Sequence, residues 1–167
     1  VHLIDSTLME TIDQKNVPLA PVLAIDLGEK RVGVAISDAL SISITRLAAL
    51  RRTNWKQMLR SVDELVRRFD AKTMVIGFPL QLNGFSGDAA ENVRGIALKF
   101  ARSLTIPVYL QDERLTSVEA EENLRAAGHG SDTVRNLIDS EAAAVILRDF
   151  LVSTEPRVPI SPAEQTS

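Results

Sequence analysis

Hydrophobic and polar positions along the chain fall into two alternating kinds of pattern. Val22-Leu23-Ala24-Ile25 is a short apolar run that ends on Asp26 and Gly28. A charged tip, Glu29-Lys30-Arg31, separates it from a second apolar run, Val32 to Ile36. Two β-rich runs joined by a polar, glycine-containing loop predict a β-hairpin. Leu40 to Leu47 alternates apolar and polar residues and predicts a third strand, with Ile42 and Ile44 on one face. Spacings of three and four then take over: Trp55, Met58, Leu59, Val62, Leu65, Val66 and Phe69 predict an amphipathic helix of about four turns, capped by Thr53-Asn54.

Strand and helix patterns alternate from there on. Lys72 to Gly77 predicts a fourth strand, and Leu80 to Asp88, with Asn83-Gly84 and Ser86-Gly87, a loop. That loop has no Gly-Lys-Ser or Gly-Lys-Thr, so it is not a P-loop. Ala89 to Leu104 predicts a second helix with Ala90, Val93, Ala97, Phe100, Ala101 and Leu104 on one stripe. Ile106 to Leu110 predicts a fifth strand, entered through Pro107 and running into Gln111-Asp112-Glu113-Arg114. Thr116 and Glu119 match a capping box, and the helix they open stops at Gly128. A polar loop, His129 to Asn136, leads to a last helix from about Leu137 to Val152, which places Asp139 in its first turn, where the helix dipole favours an acid.

Residues 1–20 and 153–167 lack such a period. We expect an N-terminal extension over 1–20, one domain over 21–152 and a disordered tail over 153–167, which holds three prolines.

The order β-β-β-α-β-α-β-α-α, three antiparallel strands followed by strand–helix units, is the ribonuclease H-like order. It predicts an α/β fold with a mixed five-stranded sheet and helices on both faces. In it three acids take distinctive places: Asp26 at the end of the first strand, Glu113 at the end of the last, and Asp139 on the last helix. A carboxylate at the end of a buried strand needs a hydrogen bond, a cation or a metal. Turn amides are one source of compensation for Asp26. The trio as an oxygen-only cluster suits Mg²⁺ or Mn²⁺. Such ions, paired about 3.5–4 Å apart, serve phosphodiester hydrolysis by activating a water and stabilising the leaving oxygen. Asp112 is the rival of Glu113, because neighbouring strand residues point to opposite faces and only one of them can join Asp26.

Composition narrows the class. The 167 residues are 45% apolar and 25% charged, ordinary for a globular domain. There is no cysteine, hence no disulfide, thiolate metal site or cysteine nucleophile. Neither a signal-peptide pattern nor an apolar run long enough to cross a bilayer is present, so a cytoplasmic location without a membrane partner is expected. A net charge of −3 argues against bulk-charge binding of nucleic acid, yet leaves room for a local basic surface. Arg46, Arg51, Arg52, Lys56, Arg60, Arg67, Arg68 and Lys72 sit in one stretch against Asp63, Glu64 and Asp70, for which a solvated helix face is the plainer reading.

AIDLGEKRVGVAISD, VIGFPLQLNGFSG, QDERLTSVEA and IDSEAAAVILRDFL, taken together and in this order, resemble the YqgF-type family. Its members are described as pre-16S ribosomal RNA nucleases and, earlier, as Holliday junction resolvases of RuvX type. The similarity spans about Val22 to Leu151. It implies a ribonuclease H-like fold, a divalent metal, a cytoplasmic location and a role in ribosomal RNA maturation, and it carries Asp26, Glu113 and Asp139 over as the acidic site. One departure is that Ser131 to Ile138 holds Arg135 as its single base, beside Asp132, where several bases are expected.

The expected partner is therefore nucleic acid, pre-16S ribosomal RNA or branched DNA, met as a monomer or homodimer. Lys30, Arg31 and Arg114 flank the acids and are the candidates for phosphate contact, with local ion pairing to Glu29 or Asp112 as the plainer role. Two other classes compete. An actin-like or sugar-kinase phosphate module also uses Asp-x-Gly at a hairpin, but it duplicates the domain and this chain has no second such hairpin. A non-catalytic nucleic-acid-binding adaptor would be suggested by loss of an acid, and all three acids are present.

Overall fold

The computed structural model describes residues 17–79, 87–112, 122, 125, 126, 128 and 131–162, with the backbone alone for 131–139. Five strands form one sheet: β1 (Val22–Leu27), β2 (Arg31–Ser37), β3 (Ile44–Arg51), β4 (Thr73–Phe78) and β5 (Val108–Asp112), in the order β3-β2-β1-β4-β5. β1 and β2 are the expected antiparallel hairpin, β3 is antiparallel to β2, and β4 and β5 run parallel to β1. Among the described residues, the helices α1 (Trp55–Arg68), α2 (Asp88–Ser103) and α3 (Ser131–Val152) pack on the sheet.

Alternation along the strands sorts the core into two layers. Leu23, Ile25, Val32, Val34, Met74 and Ile76 face α1 and α2, meeting Met58, Val62, Val93 and Phe100. Val22, Ala24, Ala35 and Val75 face the other way, against Ala143, Ile146, Leu147 and Phe150 of α3. Each fully buried side chain of this size stabilises the fold by about 1.5–3 kcal/mol. With helices on both faces, the central β1 and β4 read as continuous apolar runs rather than alternating ones.

Several expectations need correcting. The third strand is Ile44–Arg51, not 40–47, and Leu40 and Ile42 are exposed. Asp38 explains the shift: its Oδ1 accepts hydrogen bonds from the Ile42 and Ser43 amides at 2.7 and 2.9 Å. Those amides are thereby committed to a turn, in which Ser41 takes φ 56°. The fifth strand begins at Val108 and continues to Asp112.

The last helix starts at Ser131, six positions before Leu137, since no glycine or proline interrupts 131–152. Asp139 is its ninth residue, beyond the first turn where the helix dipole acts, so the dipole does not account for it. Residues 153–162, expected within a disordered tail, lie back along the edge strand β5, where the Ile160 amide donates to the Val108 carbonyl at 2.8 Å. The cap on α1 is as expected, the Asn54 side chain accepting from the Gln57 amide at 3.0 Å. Gly128 has φ 87°, the left-handed conformation that a helix-ending glycine supplies. The loop at 80–86, the capping box at 116–119 and His129 lie outside the described residues.

Candidate active site

Asp26 is the penultimate residue of β1, the central strand, and is half-buried. It has the parity of Val22 and Ala24, so its side chain belongs to the α3 face of the sheet. Its direct cross-strand partner is Gly33. On the other side, the last β1–β4 pair is Ile25 with Ile76, and the next residue of β4 is Gly77. A β-bulge lies one strand further out: Val32 pairs with Leu50 and Val34 with Leu47, leaving Ala48 and Ala49 opposite Gly33. Bulges of this kind gather beside functional sites, where they bend a strand and re-aim its side chains. Asp26 is thus flanked by glycine on both neighbouring strands, Gly33 and Gly77, and both glycines are buried.

The turn after Asp26 is closed by main-chain groups, the Gly28 amide donating to the carbonyls of Asp26 and Arg31 at 3.2 and 2.9 Å. Arg52 fastens β3 to this turn, its guanidinium donating to the Gly28 carbonyl at 2.7 Å and its amide to the Lys30 carbonyl at 2.9 Å. Lys30 is exposed at the tip. Arg31 opens β2 two residues before Gly33 and shares its parity, so it is a diagonal cross-strand neighbour of Asp26 on the same face. The usual separation of such positions, about 7–8 Å, is within reach of a long side chain.

α3 is latched to the sheet close by. The buried Ser140 hydroxyl donates to the Leu47 carbonyl at 2.7 Å. Leu47 lies in the row of Val34 and Ile25, about 3.3 Å, one residue step, from the row of Gly33 and Asp26. The next residue, Glu141, is buried and forms an ion pair with Arg46 of β3. The backbone of Asp139 directly precedes this double latch. Neither Gly33 nor Ser140 and Glu141 figure among the expected site residues. An isolated glycine within a strand, and a Ser-Glu pair inside an apolar helix, are the sequence signals that point to them.

Of the expected acids, Asp26 is placed as described and Asp139 is placed by its backbone. Glu113 and Arg114 lie outside the described residues. Asp112, the rival of Glu113, is at the end of β5. Tyr109 packs with the α3 layer, Val108 and Leu110 with the opposite one. Asp112 shares the parity of the latter pair and therefore falls on the face away from Asp26. No group of three acids or histidines is gathered among the described residues. The half-buried Asp26 carboxylate, with oxygen as the donor atom, fits a hard divalent cation.

Comparison with known proteins agrees with this architecture. The family model RuvX, described as Holliday junction resolvase, matches residues 20–153. A protein of Gloeothece citriformis (strain PCC 7424) named "Putative pre-16S rRNA nuclease" is 40% identical over 129 residues, covering 77% of this chain and 85% of its own. A protein of the same name from Syntrophus aciditrophicus (strain SB) is 38% identical over 130 residues, covering 78% and 87%. Among solved structures, RuvC of T. thermophilus in complex with Holliday junction substrate superposes with a TM-score of 0.52 at 17% identity, over 83% of this chain and 98% of that one. At that identity the likeness speaks for the fold alone, which is ribonuclease H-like.

Proposed function

Since the chain belongs to the RuvX family, we propose that it is a metal-dependent nuclease that hydrolyses phosphodiester bonds in the cytoplasm, acting in 5′-end maturation of pre-16S ribosomal RNA. The observation that carries this reading is the placement of Asp26, at the end of the central strand, on the α3 face, one row from the latch that Asp139 directly precedes. The names of the curated relatives supply the RNA substrate.

Asp26, Glu113 and Asp139 would hold Mg²⁺ or Mn²⁺ through carboxylate oxygens. When bound, such ions activate a water and stabilise the departing 3′ oxygen. Asp112 falls on the sheet face away from Asp26, and this supports Glu113 over Asp112. Lys30, Arg31 and Arg114 would hold the flanking phosphates, each as a positioning contact without sequence readout. The Ser140 and Glu141 latch keeps α3 in register with β3, and so sets where Asp139 stands relative to Asp26.

The test offers purified protein a labelled precursor RNA and a labelled four-way DNA junction in parallel, with Mn²⁺ and with chelator. Metal-dependent cleavage of the RNA, abolished by Asp26→Asn without loss of fold, is the expected result. Cleavage retained by Asp26→Asn would overturn the site. Cutting of the junction in preference to RNA would favour the second reading, a Holliday junction resolvase, for which the family description speaks. Binding of RNA with no cleavage by the wild-type protein would favour a non-catalytic adaptor.

A further inference from the structure

A groove of about 470 Å³ lies between α1 and the end of α2. Lys56, Leu59, Arg60, Asp63, Val66 and Arg67 form its α1 wall, and Ser103 and Thr105 the other. The α1 residues recur at spacings of three and four, so they make one stripe about 16 Å long at about 1.5 Å per residue. Leu59 and Val66, two turns apart, are half-buried and pack against the hydrophobic core beneath, whereas Lys56, Arg60 and Arg67 are exposed. The groove thus has an apolar base and a cationic rim.

Compensation of the rim charge is uneven. Arg67 is paired with Asp63 at 2.9 Å. Lys56 and Arg60, one turn apart, meet no carboxylate among the described residues. Two uncompensated cations beside an apolar base, in a chain whose net charge is −3, call for a partner that brings acids one turn apart together with apolar side chains. A phosphate backbone fits this lining less well. It would leave Leu59 and Val66 uncovered, and it would meet Asp63 and the end of α2, the negative pole of that helix. The groove also lies on the α1 and α2 face of the sheet, opposite Asp26, so an occupant here does not compete with a substrate held there.

We propose that the groove between α1 and α2 is a docking site for an acidic, amphipathic helical segment of another protein, which lays apolar side chains on Leu59 and Val66 and carboxylates against Lys56 and Arg60. A stripe of about 16 Å matches three turns of such a helix. The site uses no residue of the Asp26 region and stands whether or not the chain cleaves RNA. Its apolar contacts supply the salt-resistant part of the affinity, and its ion pairs the salt-sensitive part.

The experiment titrates the full chain into a fluorescent peptide designed as an amphipathic helix, with leucines at i, i+4 and i+7 and glutamates at the flanking positions, and into the same peptide scrambled. Saturable binding of the helical peptide alone is expected, weakened at least about tenfold at low salt by Lys56→Glu/Arg60→Glu, which turns attraction into repulsion. The control Arg68→Gln/Lys72→Gln, whose residues lie outside the groove, should bind as the wild type does. Ser103→Trp keeps every charge and fills the groove from its exposed wall, and it should cause a similar loss, so the test stands should the charge variant unfold. Wild-type binding no tighter than about 1 mM, equal binding of the scrambled peptide, or variants that bind as the wild type does overturn the proposal. So does a labelled RNA, in chelator, that loses affinity for both variants as the peptide does, since the groove would then be a phosphate contact. Self-association of the wild type, seen by sedimentation and abolished in both variants, also overturns it by seating a second copy of the chain there.

Discussion

Asp26 of β1 and Gly33 of β2 face each other across the central hairpin, the carboxylate on one strand and no side chain on the other. Gly33 is also the residue opposite the bulge at Ala48 and Ala49. A valine is well suited to a strand backbone, yet at this buried position it would crowd the Asp26 carboxylate. Gly33→Val is expected to fold, to bind Mn²⁺ at least about tenfold more weakly, and to lose cleavage, the tenfold corresponding to about 1.4 kcal/mol. Calorimetric metal titration beside a thermal melt checks this. Wild-type metal affinity in a folded variant would show that the missing side chain at position 33 is incidental.

The latch of α3 separates stability from activity. Ser140→Ala removes the donor to the Leu47 carbonyl, at a cost of about 1 kcal/mol. Because Asp139 immediately precedes it, cleavage measured well below the melting temperature should fall by more than this small loss of stability explains. A rate equal to wild type in the folded variant would detach the latch from the site.

Arg46 and Glu141 are unequal partners, their side chains 51% and 10% exposed. Removing the exposed cation leaves a carboxylate in the α3–β3 interface, so Arg46→Ala should destabilise by about 1–3 kcal/mol, toward the lower end because water reaches Arg46. Adding Glu141→Leu should restore most of that loss. Denaturant unfolding of the single and double variants decides it, and a double variant less stable than Arg46→Ala would contradict the account.

The turn that displaces β3 is pH-dependent. The Ser43 amide, and after it the Ile42 amide, hold the Asp38 carboxyl below its ordinary range despite an opposing contribution from desolvation. A depressed folded-state pKa means that the contribution is complete above the unfolded value, about 3.9, and is lost as pH falls through the lower folded value. The amide resonances of Ile42 and Ser43 should therefore shift with a midpoint under about 3.9, and the shift should vanish in Asp38→Asn. A midpoint at or above the ordinary value refutes the cap.

Residues 153–162 act as a cover for the edge of the sheet. Arg157 lies over the Phe150 ring, 4.1 Å from its centroid, and donates to the Ser153 carbonyl at 2.8 Å, while Ile160 bonds to Val108. Ending the chain at Thr154 exposes the Phe150 ring and frees the β5 edge, so the melting temperature should drop by several degrees, about 4 °C per kcal/mol lost. An unchanged melt would mean that the segment adds nothing to stability.

How much of this was legible in the sequence differs from element to element. The hairpin, α1 with its Asn54 cap, the buried β4 and the helix stripe of α2 follow from local periodicity, because each side chain's layer is set by its own neighbours in the chain. The same holds for Asp26 at a strand end, since an acid closing an apolar run is a local signal. β3 did not follow: an apolar-polar alternation over 40–47 was overridden by hydrogen bonds from Asp38, a side chain's competition with the sheet that periodicity does not register. The start of α3 was hidden by polar residues at 131–136, which look like a loop until one turn of the helix is seen to continue into the next.

Sequence by itself determined the order of elements, the family resemblance and which acids are candidates, because these depend on residue type and spacing. Only the tertiary structure decided that Gly33 and an alanine bulge lie beside Asp26, that Ser140 and Glu141 pin α3 one row away, and that Asp112 faces the wrong side. Those are facts of strand register and helix docking. They arise from contacts between residues as far apart in the chain as 46 and 141, and no local pattern encodes such a distance.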